Sequence, residues 1–369
     1  YKARFIMTVL GVAGCTALIL AAYGLKDSIS VVVPKQYGEI FNYDTMMNLK
    51  YEGTLNEKKN LKDAINIDKR IKSSMMIKQT LMNGSKANED KEVQVRLFVP
   101  ESLDKFKDYV HLLDKDTEGN IKLTDDTVVI TEKLAKLLNL SVGDTITVGD
   151  DAGTAVDLKI SSIAENYVYN YVYISEKMYE EKFGEELKVN TVLLKLTEDG
   201  KTHEDEVAKD WLKKNDILVV TSTSYVISSF EDIISSLNSV VVLMIVCAAA
   251  LAFVVLYNLT NINVAERIRE IATIKVLGFT EKESANYVYR ENIVLSIIGI
   301  AVGLVMGIFL SNYIVSTIEM DIVMFGRSIH GISFVYAAAF TLVFTLLVNI
   351  SMYGKLNNIS MVESLKSVE

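Results

Sequence analysis

Cysteine, histidine and proline are scarce in this chain of 369 residues, which has two cysteines, three histidines and two prolines. Cys15 and Cys247 both lie in uncharged stretches, so the large charged segment between them has no disulfide. A segment of about 200 residues buries enough surface to fold without one. His111, His203 and His330 are isolated and lack the spacing of metal ligands, so no metal site is expected.

Charge is absent from four long stretches. Each is long enough for a helix that crosses a bilayer, which needs about 20 apolar residues. A soluble protein could cover one such helix, but not four in a chain of this length. The first stretch also exceeds the roughly 7–15 apolar residues of a cleaved signal peptide, so we interpret it as a retained span. The stretches are Phe5–Leu25, Ile233–Ala265, Asn292–Ile318 and Ser328–Gly354.

Lysine and arginine near the span ends predict the orientation. The loop between the third and fourth spans has only Arg327 beside Glu319 and Asp321, which places it outside. The chain is therefore expected to be a multi-pass protein of a bacterial-type plasma membrane, with both ends of this segment in the cytoplasm and residues 26–232 outside. The basic residues on the predicted inner side are Lys2, Arg4, Arg267, Arg269, Lys275, Lys282, Arg290, Lys355 and Lys366.

The segment 26–232 is predicted to be an α/β domain because strand and helix periodicities alternate along it. Residues 131–148 predict a short helix, a turn at Gly143 and a strand. Helical spacing is seen at Ala64, Ile67, Ile71 and Met75. The predicted strands are 93–99, 144–148, 156–160, 166–174 and 192–196.

No catalytic constellation is visible in 26–232, because this segment has no cysteine and its histidines stand alone. Four tyrosines alternate in the predicted strand 166–174 and would share one side of it. That side is either a face for an apolar or peptide ligand or a packed aromatic ladder. The tyrosines are Tyr167, Tyr169, Tyr171 and Tyr173.

Residues 263–283 are dense in charge although both neighbouring spans lack it. The pattern predicts an amphipathic helix, an end at Gly278 in a left-handed cap, and a capping box at Thr280–Glu283 that opens the next helix. The segment either lies on lipid headgroups or docks on a partner. Its mixture of acidic and basic side chains suits a protein partner better.

In the third span, Gly299, Gly303 and Gly307 recur every four residues. This spacing lets another helix approach closely, although glycine is also generally frequent in membrane helices. The four uncharged stretches hold no buried charge of the kind that marks an ion path, which disfavours a secondary transporter.

Several stretches resemble a known family. "ERIREIATIKVLGFTEKE", between the second and third of four spans, resembles the cytoplasmic segment of FtsX/MacB-type ABC transporter permeases. "VVITEKLAKLLNLSVGDTITV" (128–148) resembles their extracytoplasmic core, and 359–369 is similar to their cytoplasmic end without its usual proline. Residues 4–29 resemble the start of the second half of larger permeases, so the chain is interpreted as such a C-terminal half.

The resemblance implies a four-helix transmembrane unit (1+3) with a large mixed α/β extracytoplasmic domain between spans 1 and 2. The expected division is transmembrane helix 1 at 1–25, the extracytoplasmic domain at 26–232, helix 2 at 233–262, a cytoplasmic coupling helix and turn at 263–290, helix 3 at 291–318, a short outer loop at 319–330, helix 4 at 331–354 and a cytoplasmic tail at 355–369.

The resemblance also implies a mechanism. A separate cytosolic ABC ATPase would dock on the coupling helix, and its ATP-driven motion would be relayed to the extracytoplasmic domain. The sequence has no GxxxxGK[ST] loop, so neither a cofactor nor enzymatic activity is expected in this chain, and ATP would bind the partner. The residues implied in docking are Glu266, Arg269, Glu270, Ile274, Leu277 and Gly278.

Other partners stay open at this point. They are membrane lipid, a second permease copy or half, and an extracytoplasmic protein or peptide, whereas nucleic acid is not expected. Two other functions are also compatible with the pattern: a membrane-anchored receptor or sensor whose outer domain binds a ligand, and a surface enzyme with membrane anchors.

Overall fold

The chain divides into two units. The helical unit comprises Tyr1–Ile29, Ile234–Ile318 and Gly326–Glu369, and the sheet unit comprises Ser30–Ile233 and Glu319–Phe325. The computed structural model describes residues 2–87, 89–117, 119–150, 153–266, 273–274, 277 and 280–357.

The elements alternate between strands and short helices in the middle of the chain, with long helices on both sides. In chain order they are α1 (Lys2–Ser30), a π-helical turn (Pro34–Ile40), β1 (Thr45–Gly53), α2 (Lys59–Ile67), β2 (Ile71–Lys86), β3 (Glu92–Pro100), α3 (Leu103–Tyr109), β4 (Val129–Thr131), α4 (Glu132–Leu137), β5 (Thr145–Gly149), β6 (Ala155–Lys159), β7 (Ser162–Ala164), β8 (Tyr171–Tyr173), α5 (Glu176–Phe183), β9 (Val189–Leu196), α6 (Glu198–Thr202), α7 (Glu204–Leu212), β10 (Ile217–Ser222), α8 (Thr223–Glu266), α9 (Glu281–Ile318) and α10 (Gly331–Asn357).

The prediction of four apolar helices on the two sides of a mixed α/β domain is confirmed. Each long helix has a stretch that is long and apolar enough to cross a membrane. These stretches are Phe5–Ile40, Asn238–Ile262, Ile293–Ile318 and Gly331–Ser351.

Helix α1 is the central helix of the helical unit, since the largest buried share among the four spans is in α1. Its small and branched side chains contact each of the other three long helices. Gly11 lies against Leu259 of α8, and the hydroxyls of Thr16 and of Thr341 in α10 are 3.1 Å apart. The contact with α9 is described with the site below.

The sheet unit is built on a mixed sheet. Within the described residues its strand order is β10-β1-β9-β2-β3-β8-β4-β7, and β5 pairs with both β2 and β6. Most pairs are antiparallel, whereas β3–β8 and β4–β7 are parallel. One sheet face buries an aliphatic core that includes Val95, Leu97 and Ile130.

A second, aromatic layer forms in the sheet unit. Its rings contact one another at centroid distances of 5.3–6.4 Å, and the largest of them are fully buried. Burial raises the pKa of Tyr171 to about 12, because the charged phenolate loses its hydration. The layer contains Phe41, Tyr43, Phe98, Phe106, Tyr171 and Tyr173.

Two sequence predictions for this unit are wrong. The helical spacing that continued from Ala64 to Met75 ends with α2 at Ile67, and residues from Ile71 onward form β2. Met75 is fully buried, and its backbone pairs with Leu193 of β9. Strand pairing with β9 thus overrides the local helical period.

The predicted strand 166–174 is a strand only at 171–173. Tyr169 has φ +62°, in the left-handed region that breaks strand alternation. The four tyrosines therefore do not share one side of one strand. Tyr167, Tyr171 and Tyr173 are buried, whereas Tyr169 is 37% exposed. Packing accounts for three of the four rings, and ligand binding at this segment stays a prediction.

Candidate functional site: a coupling segment and an anchored loop

The two ends of helix α9 lead into the features that we regard as functional. At one end lies the charged segment 263–283, and at the other the chain enters the loop Glu319–Phe325, which we call the anchored loop. Helix α9 has 38 residues, and an axial rise of about 1.5 Å per residue gives it a length of roughly 57 Å.

Few of the implied docking residues lie in the described part of the chain. Leu277 does, and its side chain is 72% exposed. Its backbone N–H donates to the Thr273 carbonyl at 3.0 Å, the spacing of a helical turn. Ile274 is half-buried, and Glu266 is the last residue of α8, although its side chain is not described. Arg269, Glu270 and Gly278 lie outside the described residues, so their docking role stays a prediction.

The predicted capping box opens helix α9. The Thr280 backbone N–H and hydroxyl each donate to the Glu283 carboxylate at 2.8 Å, and the Glu283 N–H donates to the Thr280 hydroxyl at 3.4 Å. The hydrogen bond from the Thr280 backbone holds the pKa of Glu283 below its ordinary value. This reciprocal cap fixes where the helix begins.

The anchored loop pairs with residues 166–174 of the sheet unit, which we call the tyrosine segment. Val323 forms an isolated antiparallel bridge with Val168. On either side of the bridge, the Tyr169 N–H donates to the Ile322 carbonyl at 2.7 Å, and the Met324 N–H donates to the Tyr167 carbonyl at 2.8 Å. The loop therefore continues the hydrogen-bonded structure of the sheet unit rather than merely connecting two spans.

A buried ion pair secures the first residue of the loop. Lys133 Nζ on α4 lies 2.9 Å from Glu319 Oε2, with side-chain exposures of 8% and 6%. Glu319 Oε1 accepts a further bond from the Phe325 N–H at 2.7 Å, which closes the loop on itself. Removing one partner of a buried pair leaves a charge without compensation, which costs about 3–5 kcal/mol.

The other side of the tyrosine segment is held by Gln36. Its side-chain oxygen accepts from the backbone N–H groups of Tyr167 and Val168 at 2.8 and 3.1 Å, and its amide donates to Asn166 at 3.0 Å. Because Gln36 is fully buried, these bonds are not exchanged with water. The segment is therefore fixed between the residues that follow α1 and the loop that follows α9.

The exposed ring of Tyr169 is covered on one face by an arginine. The Arg96 guanidinium carbon lies 3.7 Å from the ring centroid, a stacked cation–π contact. Such a contact helps to hold the Tyr169 side chain in place.

The three glycines of the third span pack against α1. A methyl group built on Gly303 would lie 2.6 Å from the Ala13 carbonyl oxygen, and one on Gly299 would lie 2.6 Å from Val12 Cβ. A methyl group on Gly307 would lie 2.8 Å from Leu20. The backbones of α1 and α9 therefore approach as closely as side-chain-free positions allow.

A groove of about 760 Å³ lies in the sheet unit along α3 and the loop that follows it. Its lining mixes carboxylates such as Asp104 and Asp108 with Lys107, and includes His111, whose ring is bonded to the Glu39 carbonyl. Within the described residues, no group of three His, Cys, Asp or Glu side chains is placed to hold a metal ion. The groove thus has the size for a small ligand but no evident catalytic set.

Residues 242–361 match the model of the FtsX-like permease C-terminal family. The matched range begins in α8, includes the charged segment 263–283 and the anchored loop, and ends beyond α10. This part of the chain is similar to the permeases of the FtsX-like family. Permeases of this family are normally non-enzymatic, and the FtsX-like segment supports a role as the permease of an ABC-type transporter, with a cytosolic ATPase as its partner.

The solved structures that are similar to this chain include three domains of bacterial proteins. The periplasmic region of MacB from Actinobacillus actinomycetemcomitans shares 12% identity over 54% of this chain and 97% of its own, with a TM-score of 0.35. The extracellular domain of the noncanonic ABC-type transporter YknZ from Gram-positive bacteria shares 13% over 49% and 100%, with a TM-score of 0.33.

A domain of a putative permease from Porphyromonas gingivalis shares 12% identity over 47% of this chain and 84% of its own, with a TM-score of 0.28. TM-scores of this size carry no weight for function. No curated protein matches the chain.

Sequence reasoning missed the residues that anchor the loop. Lys133 sits in a helix whose other lysine, Lys136, is a surface residue, and nothing in the spacing distinguishes the two. Glu319 was counted only as an acidic residue in a short outer loop. Gln36 and Arg96 gave no signal, because their partners are far away in sequence.

Proposed function

We propose that this chain is the permease and mechanotransmission subunit of an ABC transporter complex. A separate cytosolic ATPase docks on residues 263–283, and its ATP-driven motion reaches the sheet unit through the spans. The coupling segment and both ends of this chain then lie in the cytoplasm, and the sheet unit lies outside. ATP binds the partner, and this chain contributes binding surface and motion.

The observation that carries the proposal is the connection at the two ends of α9. The helix starts at a capping box next to the exposed Leu277, and it ends at Ile318, directly before the buried ion pair of Glu319. A continuous α-helix resists stretching because each turn is hydrogen-bonded to the next. Displacement of the capped end is therefore passed along the chain to the anchored loop and to the tyrosine segment that pairs with it.

The first test is co-purification of the chain with cytosolic proteins, using Leu277→Asp. The introduced charge would enter an apolar docking contact, so we expect an ABC ATPase to accompany the native chain and to be lost from the variant. Leu212→Asp is the matched control, because Leu212 is also exposed but lies on α7 of the sheet unit. Equal recovery of the ATPase with both variants would contradict docking at this segment.

The second test is hydrogen exchange of the purified complex with and without ATP. Amides at 166–173 and 319–325 should change their exchange rates with ATP in the native complex but not with Leu277→Asp. If no ATPase accompanies the chain while a ligand protects the groove along α3, the protein is a receptor or sensor instead.

A further inference from the structure

A small polar cavity lies within the helical unit, where all four long helices meet. Its volume is about 10 Å³, the space of a single water molecule. Thr8 comes from α1, Thr260 from α8 and Ser296 from α9, while α10 supplies Thr345 and Asn349. Leu256, Leu259 and Val348 complete the lining. Five polar side chains from the four long helices thus line one small space.

Thr8 distinguishes this cavity from an ordinary packing gap. Three other buried threonines of the unit, Thr16, Thr341 and Thr345, donate their hydroxyls to the carbonyl four residues earlier at 2.9 Å. The Thr8 hydroxyl makes no such bond, and no protein atom of the described residues is its partner. Thr8 is only 5% exposed and lines the cavity, so its hydroxyl has no access to bulk solvent.

A buried hydroxyl without a partner costs free energy, typically 1–3 kcal/mol. A water molecule in a cavity of this size, with two to four polar partners, removes that cost. Ser296 and Thr345 are joined by a long contact of 3.4 Å, so the Ser296 hydroxyl keeps capacity for a stronger bond.

We propose that this cavity is a binding site for one water molecule, which bridges the Thr8 hydroxyl of α1 to the Ser296 hydroxyl of α9 and to polar groups of α10. The site lies at the end of the helical unit that carries residues 263–283, because Thr260 is six residues from the end of α8 and Ser296 is fifteen residues into α9. The water connects the helices without fixing their exact separation. A bridging molecule keeps its hydrogen bonds while the helices that it connects shift by fractions of an ångström.

A double-mutant cycle on the full chain in detergent tests the bridge. Thr8→Val and Ser296→Ala each remove one hydroxyl at nearly constant volume, and each should lower the Tm by roughly 2–4 °C. Because either change displaces the same water, the double variant should be no less stable than the worse single variant. Additive losses would overturn the proposal.

Two controls accompany the cycle. Ser311→Ala removes another fully buried hydroxyl of α9 that lies outside the cavity, so its effect should add to that of Thr8→Val. Thr8→Ser keeps the hydroxyl, so Ser296→Ala should lower the Tm of Thr8→Ser by as much as it lowers the Tm of the native chain. Coupling of Thr8→Val to Ser311→Ala as strong as that to Ser296→Ala would also contradict a local bridge.

A high-resolution map of the native chain decides the matter if a variant fails to fold. We expect a density peak at hydrogen-bond distance, about 2.8 Å, from Thr8 Oγ1. A map that resolves waters elsewhere but shows no peak there would overturn the proposal. Replacing sodium by choline should leave the Tm unchanged, and a fall in Tm would show that the site takes a monovalent cation instead.

Discussion

Different interactions stabilise the interior of each of the two units. In the sheet unit, large aliphatic and aromatic side chains fill the space on the two faces of a sheet, so cohesion comes from apolar surface removed from water. In the helical unit, backbones meet at glycines and hydroxyls bond between helices. Losing one methyl group therefore removes only a small fraction of the apolar surface buried in the sheet unit. Gaining one methyl group between closely packed helices is damaging in the helical unit.

The largest effect on stability is expected at the buried ion pair of the sheet unit, because the core of this unit is otherwise mainly apolar. Lys133→Met removes the buried ammonium group beside Glu319, so the free energy of unfolding of the sheet unit should fall by about 3–5 kcal/mol. Chemical unfolding followed by the fluorescence of Trp211, the single tryptophan, measures it.

Two variants control for this result. Lys136→Met breaks the half-exposed pair of the same helix with Glu132 and should cost no more than about 1 kcal/mol. Lys133→Met combined with Glu319→Gln removes both charges and should regain most of the loss. Equal destabilisation by Lys133→Met and Lys136→Met would mean that the anchored loop adds nothing to the sheet unit.

The next largest effect on stability is expected in the helical unit. Gly303→Ala places a methyl group against the Ala13 carbonyl oxygen and should destabilise the helical unit by about 1–3 kcal/mol. Gly14→Ala is the matched control, because a methyl group there meets nothing within 4 Å. Thermal stability of the two variants in the same detergent checks this, and equal Tm values would refute the close approach of α1 and α9.

A smaller effect is expected at the start of α9. Thr280→Ala removes the capping hydroxyl and should cost about 1 kcal/mol of local helix stability. Faster amide exchange in the first turn of α9 would be the direct sign, whereas Thr280→Ser should exchange like the native chain. Unchanged exchange in Thr280→Ala would show that packing, not the cap, sets the beginning of this helix.

The smallest effect is a pH dependence within the sheet unit. Two bonds from the Arg70 guanidinium hold the pKa of Asp68 below its ordinary value, and Trp211 donates to the same carboxylate at 3.2 Å. A lowered pKa contributes stability above the unfolded value of about 3.8, and this is lost as the pH falls through the folded value.

Acid titration of Trp211 fluorescence measures this contribution. Asp68→Asn should flatten the change below pH 4, and Asp63→Asn, at an exposed position on α2, should not. A titration curve that is the same for Asp68→Asn and the native chain would assign the acid response to other groups.

The sequence predicted features that depend on neighbours close in the chain. The uncharged stretches identified the spans, Gly143 marked the turn before β5, with φ +96°, and Thr280 with Glu283 marked the start of α9. Each signal is local, because hydropathy, turn geometry and capping act over a few residues.

The features that the sequence did not predict depend on contacts between distant parts of the chain. Residues 71–75 have a helical period, yet they form the start of β2 and pair with β9. Tyr169 left the strand alternation because its segment is held by Gln36 on one side and the anchored loop on the other. The partnership of Lys133 with Glu319 spans 186 positions, and no spacing rule connects residues so far apart.

That separation has a consequence for biosynthesis. A ribosome adds about 5–20 residues per second, so Glu319 follows Lys133 out of the ribosome by roughly ten to forty seconds. Throughout that interval the sheet unit lacks the strand-like edge of the anchored loop and the counter-charge of Lys133. The sheet unit therefore completes its folding only after helix α9 has been made, because Glu319 directly follows the last residue of that helix.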